Sequence, residues 1–164
     1  MQTGGDPFAQ DDVDWVAVSP RLALGRRIVS GATFAVMSLV ALVAAALSAM
    51  PLMAVAALVP LALMAWSWWL IGRQTAAISY AERTDDLLVR RGVMFRSLVV
   101  VPYGRMQFVD VEAGPLDRKI GIARVRLHTA SPGTDANVPG LPREQAALLQ
   151  DRLARRGEAR LAGL

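Results

Sequence analysis

Hydrophobic and polar positions divide this chain into three zones. From Ile28 to Gly72 there is no Asp, Glu, Lys, Arg or His, and Ala, Leu, Val and Met dominate. One helical crossing of a ~30 Å bilayer core needs ~20 apolar residues. The block is about twice that long, so it reads as two transmembrane helices, residues 28–49 and 51–71, within a hairpin of residues 21–73. Met50-Pro51 is the expected turn, because proline suits the first position of a helix. Pro60 should kink the second helix. Gly31 with Ala35 and Ala41 with Ala45 place small residues at helix-packing spacing, although an alanine-rich composition yields the same spacing.

Residues 1–20 show no apolar period. They are acidic (Asp6, Asp11, Asp12, Asp14) and carry Gly4, Gly5, Pro7 and Pro20. A mobile acidic leader is expected. The apolar block is far longer than the ~7–15-residue core of a secretory signal.

After Gln74 the period shortens to that of strands. Short apolar runs occupy residues 76–80, 87–90, 94–101 and 106–111, with turns at Arg91-Gly92 and Pro102. From Ile122 to Thr129 the alternation is clean: Ala123, Val125 and Leu127 face one way, and Arg124, Arg126 and His128 face a solvent side. Asn137-Val138 reads as a last short strand. A helix should follow Pro142, burying Ala146, Leu149 and Leu153, with Arg152, Arg155 and Arg156 near its negative end and Gly157 as its cap. About six or seven short antiparallel strands and one amphipathic helix bury a core best as a strongly bent sheet or small barrel closed by the C-terminal helix. The expected α+β/all-β domain spans residues 74–157, leaving 158–164 as a tail.

Charge fixes an orientation. Arg21, Arg26 and Arg27 flank one end of the block and Arg73 and Arg83 the other, while the turn has no basic residue. The positive-inside rule then puts both termini in the cytoplasm. Trp66, Trp68 and Trp69 precede Arg73 as an interfacial belt would; a ligand platform is the alternative. With Arg26, Arg27 and Arg73 they form the expected membrane-interface set. The middle of the block carries no ionisable group of the kind that marks transport pathways.

Candidate chemistry is sparse. The chain has no Cys and a single His, His128, which removes thiolate sites and argues against His-based metal centres and triads. Asp85-Asp86 and Asp117 fall in turns, and no glycine-rich loop opens a helix with Lys and Ser or Thr. The expectation is therefore no enzyme, no cofactor and no metal. From Arg73 onward fifteen basic residues face ten acidic ones. That balance, beside an apolar hairpin, points to a membrane surface and not to nucleic acid.

The segment Val101–Ala130 carries a multi-part pattern. Pro102 and Arg105-Met106-Gln107 precede Val109-Asp110-Val111; Gly114-Pro115-Leu116, Arg118-Lys119, Gly121 and Thr129-Ala130 follow. Arg90-Arg91-Gly92 lies upstream, and Val138-Pro139-Gly140-Leu141 leads into the helix. This pattern resembles the bacterial pleckstrin-homology (PH) family of YdbS-like membrane proteins, over roughly Arg21 to Leu153. The resemblance implies a PH-like fold, a bent antiparallel sheet closed by a C-terminal helix, with partners that include other membrane proteins bearing the same domain. Eukaryotic domains of this fold read lipid headgroups around the first hairpin, here Tyr80 to Arg91, where Glu82, Asp85 and Asp86 offset Arg83, Arg90 and Arg91. Two roles follow for Arg83, Arg90, Arg91, Arg118, Lys119, Arg124 and Arg126: docking of a membrane-protein partner, or attraction to anionic lipid. A solvated face paired with Asp110, Glu112 and Asp117 is the plainer role for the arginines.

Overall fold

The computed structural model describes residues 13–48, 55–56, 58–130 and 135–161. The expected turn at Met50-Pro51 and residues 1–12 of the leader lie outside them. The chain divides into two compact units: residues 23–73, and a second unit that joins residues up to Leu22 with those from Gln74 onward.

The first unit contains most of helix α1 (Arg21–Ser48) and of α2 (Leu58–Ala76). At ~1.5 Å per residue, α1 is roughly 40 Å long. Among the described residues it is the one helix long and apolar enough to cross a membrane. It begins at Arg21, seven positions before the expected Ile28. Ser19 and Pro20 supply the start signal: the Ser19 hydroxyl accepts the Arg21 N–H at 3.3 Å and its carbonyl accepts the Leu22 N–H at 3.0 Å. Large apolar side chains are exposed along α1, among them Val36, Met37, Leu39, Val40, Leu42 and Val43. α2 continues past the expected Ile71 to Ala76, so residues 76–78 are not the strand their apolar character suggests.

In the second unit, strands β1 (Val16–Ala17), β2 (Ser79–Glu82), β3 (Asp86–Arg91) and β4 (Ser97–Pro102) form one antiparallel sheet in that order. Strands β5 (Met106–Glu112), β6 (Ile122–Thr129) and β7 (Ala136–Pro142) form another. The expected single bent sheet is thus two sheets, separated at the corner where Pro102 leads into a 3-10 turn, Tyr103–Arg105. The short helix α3 (Pro115–Ile120) links β5 to β6, where the sequence reads only as a turn; the Asp117 carboxylate accepts the Gly114 N–H at 3.3 Å, and Gly121 ends it at φ +76°.

Helix α4 (Arg143–Leu161) closes the core by packing on β5, β6 and β7 and on the corner turn. Ala146, Leu149 and Leu153 are fully buried, as their spacing predicts, against Val101, Tyr103, Val125, Leu127 and Val138. Gly157 does not end this helix. It lies inside it, buried, and a Cβ there would meet Met106 Cε at 3.5 Å. That is an ordinary contact distance, and the expected tail is helical to Leu161.

The described part of the leader departs most from expectation. Val16 pairs with Tyr80 and Ala17 with Ser79, Val18 and Leu22 are buried in the core, and the Ser19 N–H donates to the Gly140 carbonyl at 3.0 Å. Gly140 has φ +73°, and a Cβ would fall 2.6 Å from Leu22 Cβ. Residues 13–22 are therefore an edge strand and a core plug, stabilised by apolar burial that the acidic composition hides.

Candidate functional site

Within the helical unit, Arg27 lies beside α2. Its Nη2 donates to the Trp68 carbonyl at 3.2 Å, and glycine at position 72 leaves it room. Trp68 packs on Gly31, where a Cβ would meet the indole at 3.3 Å. Trp66 and Trp69 are exposed with ring centroids 5.6 Å apart, and the Arg73 guanidinium sits 4.8 Å over Trp69. Arg26 is exposed. The interface residues read from the sequence thus cluster around the paired ends of α1 and α2, with Arg27 bridging the helices and Arg73 stacked on an indole.

In the other unit the candidate cations fall into three groups. Arg124, Arg126 and His128 share the outer face of β6, as alternation predicts, but they are half-buried. β5 lies opposite with acids in diagonal register: Arg126 pairs with Glu112 at 3.1 Å, and His128 lies 3.8 Å from Asp110 and 3.6 Å from Asp135. His128 also stacks on Phe108, centroids 4.3 Å apart. This is a cross-strand charge ladder, so much of its positive charge is compensated within the sheet. Asp117 caps α3 and takes no part in it.

Arg83 lies at the second group, where α4 meets the β2–β3 turn. Its carbonyl accepts the Tyr103 hydroxyl at 3.1 Å and Arg156 Nη1 at 2.8 Å. Glu82, mostly buried, pairs with Arg152 at 2.8 Å and Arg156 at 3.6 Å, and Arg160 pairs with Asp85. Burial pushes the Tyr103 hydroxyl above its ordinary range, with Arg156 partly opposing; burial and the Glu82 charge do the same to Tyr80. These contacts tie helix to sheet. A cavity of about 550 Å³ adjoins them, lined by Val13, Asp14 and residues 82–86. Among the described residues, no cluster of His and carboxylates has the arrangement of a metal site.

The third group surrounds the β3–β4 hairpin. Arg90 donates to Ser79 Oγ at 3.2 Å and covers Trp15 at 4.4 Å, and Arg91 donates to the Asn137 carbonyl at 3.2 Å. Between them and Arg96 the tip presents Met94 and Phe95, 85% and 87% exposed. The sequence reads these two as strand residues; β4 instead starts at Ser97. Gly92, at φ +100°, was the signal for a tip here. Arg118 and Lys119 are exposed on α3, with Arg118 donating to the Ala113 carbonyl at 3.1 Å. Gly121, just beyond them, would bring a Cβ to 3.3 Å from Arg21 Nη1.

Two antiparallel sheets, a corner turn and a closing helix, joined in sequence to a long apolar helix, define a PH-like domain of membrane-protein type. The bacterial PH domain family matches residues 27–157, and the chain belongs to it. It is 33% identical over 76 residues to the UPF0699 transmembrane protein YdbS of Bacillus subtilis (strain 168), a match covering 46% of each chain. The matched segment thus spans about half the length of that relative. No solved structure matches the chain. The family match begins downstream of β1, so the edge strand and Leu22 complete the domain from outside the matched span.

Proposed function

We propose that the chain is a membrane-anchored interaction module. Its apolar segment forms a two-helix transmembrane hairpin, and its PH-like domain stands at the cytoplasmic face, where it assembles with other membrane proteins, including those bearing the same domain. One observation carries the reading: residues on both sides of the apolar segment build one compact unit, with Val16 paired to Tyr80. Both flanks then lie on one side of the bilayer, which requires an even number of crossings. The flanking arginines favour the cytoplasmic side for both termini.

Two surfaces suit partners. The exposed apolar flank of α1 meets other membrane helices. Strand β5 exposes Phe108 and Val111 on its outer face, an apolar patch on which a partner can dock, while Gln150 of α4 holds its Val109 carbonyl at 2.9 Å. The reading assigns the chain no catalytic step, cofactor or nucleic-acid partner.

Crosslinking of the full chain in native membranes, followed by pull-down, tests the assembly. The expected result is a discrete larger species that Phe108→Asp removes. Recovery of monomer alone would count decisively against the module. The alternative role, contact with anionic lipid, is favoured at one place only, the β3–β4 tip.

A further inference from the structure

The most exposed large apolar side chains among the described residues are not on the apolar helices. They are Phe95 and Met94, neighbours at the tip of the β3–β4 hairpin, at 87% and 85%. Their exposure is built into the turn. Gly92 holds φ +100°, and any Cβ there would collide with the Phe95 carbonyl, so the chain folds back tightly and pushes both side chains outward.

The surroundings are basic. No acid occurs between Leu87 and Arg105, while Arg90, Arg91 and Arg96 flank the tip. Arg90 is held on Trp15 and Arg91 on the Asn137 carbonyl, so these charges form a collar behind the apolar pair. The strand register locates the tip further. Arg90 is opposite Ser79, Ser79 is opposite Ala17, and the Val18 N–H donates to the Ile78 carbonyl at 3.4 Å. The tip therefore belongs to the end of the sheet at which the chain leaves for α1 and returns from α2.

We propose that this tip is a second membrane contact. Phe95 and Met94 enter the interfacial layer of the bilayer that α1 crosses, and Arg91 and Arg96 meet anionic phosphate headgroups. The proposal rests on the membrane reading above and adds a lipid-facing side to the domain. An apolar tip with a cationic rim matches an interface in which acyl chains lie beneath phosphates. The helices already hold the domain at the surface, so even a weak contact is occupied, and its effect is to fix how the domain faces the membrane.

The chain has no Cys, so single-cysteine variants of the full chain can be labelled without background. A polarity-sensitive fluorophore is placed at Phe95→Cys, at Met94→Cys as a second tip site, at Thr84→Cys in the turn at the opposite end of the sheet, and at Val40→Cys in α1. Each is reconstituted into phosphatidylcholine vesicles with and without phosphatidylglycerol. The expected result is a blue-shifted emission at both tip sites, several-fold stronger quenching by acyl-brominated lipid than at position 84, and loss of iodide quenching. Protection should deepen with phosphatidylglycerol. Iodide access at both tip sites equal to that at position 84, while position 40 remains lipid-quenched, overturns the tip contact and leaves the anchor standing. Protection from iodide without lipid quenching overturns it in favour of a protein cover. Absence of lipid quenching at position 40 overturns the anchor itself.

Discussion

Gly140 holds the junction between the leader and the second sheet, and Gly140→Ala tests whether that junction stabilises the domain. Two costs follow from the geometry. Alanine at φ +73° enters the left-handed region, which costs roughly 1–2 kcal/mol. Its Cβ would stand 2.6 Å from Leu22 Cβ and 2.9 Å from Leu22 Cδ2, so the first turn of α1 must shift, at roughly 1–3 kcal/mol for overpacking. The movement also strains the Ser19–Gly140 hydrogen bond. Together these give roughly 2–5 kcal/mol. For a domain of this size about 1 kcal/mol moves Tm by about 4–8 °C, so the melting point should fall by roughly 10 °C or more. The assay is thermal unfolding of the full chain in detergent, with Trp66, Trp68 and Trp69 replaced by Phe so that Trp15 alone reports on the domain. Leu22→Gly removes the clashing Cβ but not the backbone strain. In the double variant the two costs should therefore sum to less than the single losses, by about the overpacking share. An unchanged melting point for Gly140→Ala, or strictly additive losses in the double variant, would refute the placement of residues 19–22 against β7.

Deletion of residues 1–20 should destabilise the domain, because it removes β1, Trp15 and Val18. Hydrogen exchange should quicken along β2 and β3, whereas a dispensable leader would leave it unchanged. Glu82→Gln should cost about 1–3 kcal/mol, since its mostly buried carboxylate pairs with Arg152 and Arg156. Glu112→Gln, half-exposed and diagonal to Arg126, should stay within about 0.5 kcal/mol. Chemical denaturation of the two variants makes that comparison. Alkali should also weaken the domain. The folded-state pKa values of Tyr80 and Tyr103 are raised, so their contribution is complete below the unfolded tyrosine value of ~10 and is lost as pH rises through the folded values. Melting curves should therefore be flat up to that pH and fall above it, less steeply in Tyr103→Phe.

The parts of the fold legible in the sequence are those that a local period encodes. β6 runs over the residues its alternation marks, and the Ala146/Leu149/Leu153 stripe faces the core. The parts that were not legible depend on distant partners. β1 is two residues long and owes its existence to β2, more than sixty positions away, so no local pattern marks it. Met94 and Phe95 lie only two residues, Arg96 and Ser97, before the apolar stretch from Leu98, and Gly92 marks the tip. Gly157 looks like a cap because glycine commonly ends helices, but α4 runs on to Leu161 with Gly157 buried inside it. Among the candidate cations, the sequence places Arg124, Arg126 and His128 on one face correctly. It also names Asp110 and Glu112 among their acidic partners, but it offers Asp117, which caps α3, where the structure brings Asp135.

The pairing of Val16 with Tyr80 also bears on how the protein is made. β1 leaves the ribosome first and stays without its neighbour while the whole apolar segment is synthesised. With both helices in the bilayer, as proposed, β2 reaches β1 only after the second helix has returned the chain to the starting compartment. A chain stalled after one crossing would hold the two strands on opposite sides of the membrane, with Val18 and Leu22 denied their core. Completion of the domain would then act as a check on insertion, and half-inserted chains would carry an unfinished fold open to proteolysis.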